Sequence, residues 1–210
     1  MRAFAERLTT RFGAELGEEP RDYLARIARA AERMQRLIDD LLAFSRVTTK
    51  ARPFADVDLA ALAAEVLSDL EPRLQAAGGR IDVGPLPTIE ADPTQMRQLL
   101  QNLLVNAVKF HRPDAAPQVR LSAAVAGEEC VLSVADDGIG FDEKYLDRIF
   151  TIFQRLHGRG EYEGTGLGLA ICRKIVERHR GAITARSRPG AGATFIVTLP
   201  VRQPGIQEAA

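Results

Sequence analysis

An apolar seam near the N-terminus constrains this chain more than any other feature. Leu24, Ile27, Ala31, Met34, Ile38, Leu41 and Ser45 recur at alternating spacings of three and four, and Leu37, Leu42 and Phe44 widen the stripe. Such spacing describes one face of a long α-helix with a heptad-like seam. Arg26, Arg29, Arg33 and Arg36, with Glu32 and Asp39, read as its solvated face. Upstream, Phe4, Leu8 and Phe12 recur every fourth residue, so residues 2–12 read as the end of a helix stopped near Gly13. Residues 13–20 are a polar connection. A hairpin with only one full-length arm cannot bury the seam alone. The expected arrangement is a dimerising helical bundle, a homodimer through helix 20–46; the alternative is an amphipathic helix packed on its own domain.

Polar residues and a proline in 47–56 mark a linker. A second unit, 57–200, then differs in kind. Leu59, Leu62, Val66, Leu70 and Leu74 describe a helix opened by Asp58, followed by short strands at 80–84 and 88–91. Asp92-Pro93-Thr94-Gln95 is a helix start, with Asp as N-cap, Pro at the first position and Gln three residues on. That helix runs to about Phe110. Strands follow at 118–126 and 130–136, then a glycine-containing region at 138–165, a helix at about 166–179, and two strands in AITARS and TFIVTLP. Residues 201–210 read as a flexible tail. The second unit is α+β: a mainly antiparallel sheet with helices on one face.

Composition closes some classes. The 28 basic and 28 acidic residues balance, and no basic stripe interleaves with aromatics, so no nucleic-acid footprint is expected. No apolar run approaches the ~20 residues of a membrane span, so no membrane contact by this chain is expected. Cys130 and Cys172 sit in apolar patterns with no metal-ligand spacing, which suits a reducing cytoplasm.

Three patterns carry chemistry. Along 92–110, Met96, Leu99, Leu100, Leu103, Ala107 and Phe110 fall on one side, while Gln95, Gln98, Asn102, Asn106 and Lys109 form a polar stripe on another. An Asn carbonyl suits a hard cation such as Mg²⁺, and Lys suits a phosphate; a plain solvated face is the alternative. Asp136 continues the parity of Cys130, Leu132 and Val134, so its carboxylate should face the core side and need a donor. Asp137 should be exposed, and Gly138 and Gly140 would let backbone approach a ligand. Residues 164–170, GTGLGLA, fit neither the dinucleotide nor the P-loop spacing.

Taken in order, Asn102-Leu-Leu-Val-Asn106-Ala-Val-Lys109-Phe110, Asp136-Asp-Gly138-Ile-Gly140-Phe141, Phe150-Thr-Ile-Phe153-Gln-Arg155, Gly164-Thr-Gly166-Leu-Gly168-Leu169-Ala170 and Gly190-Ala-Gly192-Ala-Thr194-Phe195 resemble the nucleotide-binding boxes of sensor histidine kinases. ERMQRLIDDLLAFSRV resembles the second helix of their dimerisation and phosphotransfer hairpin, most closely in the phytochrome-type and PAS-linked kinases. The resemblance implies a Bergerat-type (GHKL) α/β sandwich binding ATP and Mg²⁺, preceded in 1–46 by helices of that hairpin. It implies Asn106 as the Mg²⁺ ligand with Asn102 beside it, and Lys109 on phosphate, making Asn106 and Lys109 the catalytic pair. Asp136 would accept from the adenine amine, in a pocket shaped by Gly138 and Gly140 with Thr194 nearby. Phe150 and Phe153 would anchor a lid at about 141–165, with Arg155 a contact. Gly164, Thr165, Gly166, Leu167, Gly168 and Leu169 would hold phosphates through backbone amides at a helix N-terminus. The implied partner is a response-regulator receiver domain.

Histidine is the departure. Only His111, His157 and His179 occur, none in the first helix. The matching acceptor would fall upstream of Met1, so the phosphotransfer hairpin reads as truncated. Two rivals remain: an ATPase of the same fold, and a non-catalytic module binding nucleotide or a response regulator. An ATPase needs a Glu as general base one turn before the Mg²⁺ ligand, and Asn102 stands there.

Overall fold

The computed structural model describes Arg7, Thr10, Arg11 and residues 17–156 and 164–203. Apart from three helical positions, the expected first helix lies outside the described residues, as do lid residues 157–163 with His157. The chain divides into two units, Met1–Ala43 and Phe44–Ala210.

In the first unit the seam is helical. Helix α1 (Glu18–Thr49) is 32 residues long, so it starts inside the expected connection and runs past position 46 into the expected linker. Glu18 and Glu19 in its first turn and Arg46 in its last complement the helix dipole, and Pro20 is tolerated in a first turn because no intrahelical N–H is lost there. The seam faces solvent: Ile27 is 50%, Ile38 53% and Leu41 51% exposed.

The second unit is an α/β sandwich. Strands β2 (Arg80–Val83), β4 (Gln118–Ala126), β5 (Glu129–Asp136), β7 (Ala193–Pro200) and β6 (Ala182–Ser187) lie side by side in that order. The β2–β4 pair is parallel and the others are antiparallel. Helices α2 (Leu59–Ala77), α3 (Pro93–Lys109) and α5 (Gly168–Arg178) supply the other layer, with α3 between the other two, and a single turn, α4 (Leu146–Ile149), lies between β5 and α5 along the chain. Inward residues of the sheet, among them Leu121, Leu132, Val134, Phe195 and Val197, meet Leu99, Leu100, Leu103 and Leu104 of α3 and Ile171 and Ile175 of α5, all buried. Cys130 and Cys172 are wholly buried in this core, and burial raises both thiol pKa values, that of Cys172 to about 12.

Local signals work as read. Asp58 caps α2 by accepting from the Ala60 and Ala61 amides, and Gly78 at φ +61° stops it. Asp92 caps α3 by accepting from Thr94 and Gln95, with Pro93 in the first turn. One element lay unseen. Residues 55–58, split in the sequence reading between linker and helix start, form β1 (Ala55–Asp58), which pairs antiparallel with β3 (Thr88–Ala91). Four residues with Val57 alone buried leave too short an alternation to read. Residues 201–203 are tied down: Val201 bonds to Glu90 and Glu128, and Gln203 to Glu90.

Candidate functional site

The polar stripe of α3 splits in two. Gln95 is buried, 4% exposed, at the N-terminal end. Its Nε2 donates to the Val47 carbonyl and its Oε1 accepts from Arg178. It therefore belongs to a structural cluster and does not close a capping box. Asn102 lies two turns on, half-buried, with Nδ2 donating to the Gly168 carbonyl at 3.2 Å. This bond seats the start of α5 against the middle of α3. Asn106 and Lys109 follow at the C-terminal end, both half-buried. The Lys109 ammonium lies 4.1 Å from the Phe110 ring centroid, and a Cβ on Gly164 would stand 2.9 Å from it. The Gly164 backbone thus passes close to the ammonium.

Asp136 ends β5 with the expected parity. Its Oδ1 accepts from the Gly138 amide at 2.9 Å and the Ala193 amide at 3.2 Å. Burial pushes its carboxyl up to about 6 against these two donors, with Asp137 adding repulsion. Asp137 is half-buried, contrary to expectation. Its Oδ1 accepts from the Gln118 amide, and its Oδ2 lies 3.8 Å from Arg112.

The glycines of this turn also have protein partners. A Cβ on Gly138 would run into the Phe110 carbonyl oxygen, and one on Gly140, at φ +58°, into that of Arg188. The Ile139 amide donates to Phe110 at 2.9 Å and its carbonyl accepts from Gly190 at 2.7 Å. The turn is therefore stitched to the end of α3 on one side and to the β6–β7 loop on the other.

Thr194 departs from its expected place. Residues paired across an antiparallel ladder share a face; Asp136 pairs with Ala193, and Ala135 with Thr194. Thr194 thus points to the opposite face of the sheet, and the Ala193 amide is the group beside Asp136. Ser187, unremarked in the sequence, braces the loop: its hydroxyl accepts from Phe141 and donates to Gly192.

The two phenylalanines part company as well. Phe150 is buried edge-on against Phe195, centroids 6.5 Å apart, with the Arg173 guanidinium over its ring. Phe153 is 54% exposed at φ +61°, next to lid residues 157–163, which lie outside the described residues. Arg155 donates to the Gly164 carbonyl at 3.0 Å. Gly166, at φ +78°, packs where a Cβ would lie 2.8 Å from the Gln154 carbonyl. The helix starts at Gly168, two residues later than the sequence suggested. Thr165 Oγ1 accepts from the Leu167 amide, Leu167 is wholly buried, and the first intrahelical donor is Ile171. The amides of Gly168, Leu169 and Ala170 are left at the helix start, where the dipole favours an anion.

The histidines are accounted for where described. His179 is fully buried. Its Nδ1 donates to the Ile175 carbonyl, its Nε2 accepts from the Asp92 amide, and burial lowers its pKa, so the ring is neutral. His111 Nδ1 lies 2.9 Å from the Val108 carbonyl.

A half-buried carboxylate on a glycine turn, amides and a lysine along one helix, and a glycine-led helix start define a nucleotide site of the Bergerat type. The family model for histidine kinase-, DNA gyrase B- and HSP90-like ATPases matches residues 91–203, and the model for the phospho-acceptor domain of histidine kinases matches residues 1–50. The chain belongs to this ATPase family, and within it to the sensor histidine kinases. It is 44% identical over 198 residues to cyanobacterial phytochrome A of Nostoc sp., covering 94% of this chain and 26% of the relative. To sensor histidine kinase AruS of Pseudomonas aeruginosa it is 37% identical over 195 residues, 87% of this chain and 19% of the relative. The chain thus spans about a fifth to a quarter of the length of these relatives. Full-length ShkA in complex with AMPPNP superposes with a TM-score of 0.71 at 33% identity, covering 90% of this chain and 40% of that one. The catalytic domain of histidine kinase ThkA, nucleotide-free, gives 0.61 at 28% identity, covering 72% of this chain and 98% of that domain.

Proposed function

We propose that this chain binds ATP with Mg²⁺ and transfers the γ-phosphoryl group to a histidine, for relay to the aspartate of a response-regulator receiver domain. The observation that carries the reading is the state of Asp136. Its two backbone donors both fall on Oδ1, which leaves Oδ2 as acceptor for an exocyclic amine such as that of adenine.

From there the remaining roles follow the chain. Asn106 Oδ1 would hold Mg²⁺, a cation that keeps most of its shell as water and phosphate oxygens; when bound, it offsets charge on the phosphates. A carboxamide ligand suits that mode, and no cluster of metal-ligating acids occurs among the described residues. Lys109 places a compact positive charge on the same helix face one turn on, and the Gly168–Ala170 amides offer donors to phosphate oxygens. Catalysis by such a site is positioning and electrostatic stabilisation of the transferring group. Asn102 cannot take a proton and is turned to the Gly168 carbonyl, which supports transfer to an imidazole over activation of water. The acceptor imidazole comes from a phospho-acceptor hairpin of the kind that residues 1–50 match. The exposed seam of α1 supports a homodimer through helix 20–46, and the need for ATP supports work in the cytoplasm.

Titration with a fluorescent ATP analogue, with and without Mg²⁺, tests the reading. Mg²⁺-enhanced binding that Asp136→Asn weakens is expected; no binding, or binding indifferent to that change, would overturn it.

A further inference from the structure

The two helices that carry the candidate site also meet at a second polar centre. α3 begins at Asp92 and Gln95 and ends at Asn106 and Lys109; about 15 Å of helix separates Asp92 from Asn102 at 1.5 Å per residue. α5 runs the other way, from Gly168, which Asn102 holds, to Arg178. At this far end one guanidinium joins three segments. Arg178 Nη1 donates to Asp92 Oδ2 at 3.2 Å and Gln95 Oε1 at 3.0 Å, and Nη2 donates to the Arg52 carbonyl at 2.8 Å.

Residues 47–54, the last residues of α1 and the stretch from there to β1, find polar partners here. Val47 O accepts from Gln95, and the Arg52 amide donates to Asp92 Oδ2 at 2.7 Å. The Phe54 ring lies under the Arg178 guanidinium at 4.6 Å and against His179 at 5.0 Å. Asp92 is 1% exposed. Releasing the segment would take from this carboxylate its Arg52 donor and from Gln95 its acceptor, and a buried charge short of donors is costly. The ends of α3 and α5 must therefore resettle when the segment leaves. Both helices are continuous to the nucleotide end, so the change reaches the Asn102–Gly168 contact. In the other direction, a polyphosphate shared by Asn106, Lys109 and the start of α5 fixes the same two helices against each other.

We infer that Arg178 is a positioning residue through which the anchoring of residues 47–54 and the loading of nucleotide form one linked equilibrium, an inference that rests on the nucleotide-binding reading above. Linkage is reciprocal: each event favours the other by the same factor, and about fivefold is the low end of such couplings.

The test is hydrogen exchange of residues 50–54, read by mass spectrometry on the whole chain while Mg²⁺ and an ATP analogue are titrated, for wild type, Arg178→Lys, Arg178→Ala and Phe54→Ala. Nucleotide is expected to slow wild-type exchange about fivefold. Arg178→Ala should speed basal exchange, abolish the nucleotide response and weaken nucleotide binding by the same factor, with Arg178→Lys intermediate. If Arg178→Ala does not fold, Phe54→Ala, which leaves the Asp92–Arg178 pair in place, must show the same coupled loss. Nucleotide that binds the wild type without altering exchange at 50–54, or folded variants that bind it as tightly as wild type, would overturn the inference alone. A wild type that binds no nucleotide would remove the proposed function and this inference together.

Discussion

The two ends of α3 both carry polar side chains and differ in what surrounds them. At the N-terminal end Asp92 takes four donors, from Arg52, Thr94, Gln95 and Arg178, and Gln95 is used at both its oxygen and its nitrogen. At the C-terminal end Asn106 and Lys109 stand half-buried beside a glycine loop and a helix start. Residue type does not separate an amide that braces the fold from one placed for a ligand; the partners contributed by distant segments do.

That contrast can be broken by exchanging losses between the two ends. Asp92→Ala removes a helix cap and leaves Arg178 without its buried partner, a loss of about 3–5 kcal/mol. In a unit of this size that lowers Tm on the order of 10 °C, measured by calorimetry. The counterpart at the open end, Asp136→Asn, should not lower Tm and should raise it above pH 6, because an amide oxygen still accepts from Gly138 and Ala193 while the desolvated charge is gone. It should weaken nucleotide binding about 10- to 100-fold, the worth of a hydrogen bond to a charged group, read by fluorescence titration.

The pH dependence of Asp136 has opposite signs for stability and for binding. Its folded pKa, about 6, lies above the ordinary 3.8. Its contribution to stability is therefore fully present below about pH 4 and is lost as pH rises through 6. Binding, which uses the carboxylate as acceptor, should instead weaken as pH falls through 6, by up to about tenfold per unit. Affinity profiles from pH 5 to 8 should show that inflection in the wild type and none in Asp136→Asn. The smallest effect is expected at Phe153. Because that side chain is 54% exposed, its change to Ala should alter stability by less than about 0.5 kcal/mol, against about 3 kcal/mol for buried Phe150→Ala, compared by urea denaturation.

What could be read in the sequence was local. The caps at Asp58 and Asp92, the parity that turns Asp136 inward and the seam of α1 each follow from neighbours a few residues away, and the structure has them so. The fate of Gln95 could not be read, because its partners Val47 and Arg178 lie 48 and 83 residues away. Thr194 needed the β5–β7 register, which a glycine-rich turn does not announce. The glycines were read as bare backbone for a ligand; Gly138, Gly140 and Gly166 are also needed where strands and loops of the protein itself press together. Phe150 and Phe153 look alike in the sequence, and only the sheet decides which is covered.

The burial of Cys130 and Cys172 bears on how these equilibria can be watched. A thiol must be exposed and ionised to react, and here neither is, since both side chains are wholly covered and their pKa values raised. A cysteine introduced at a solvent-facing position such as Lys50 or Ile152 would therefore take a maleimide dye or a spin label alone, with both native thiols left in place. The core thus provides a silent background for single-site spectroscopy, and the reporter can be read without first repacking the interior it is meant to observe.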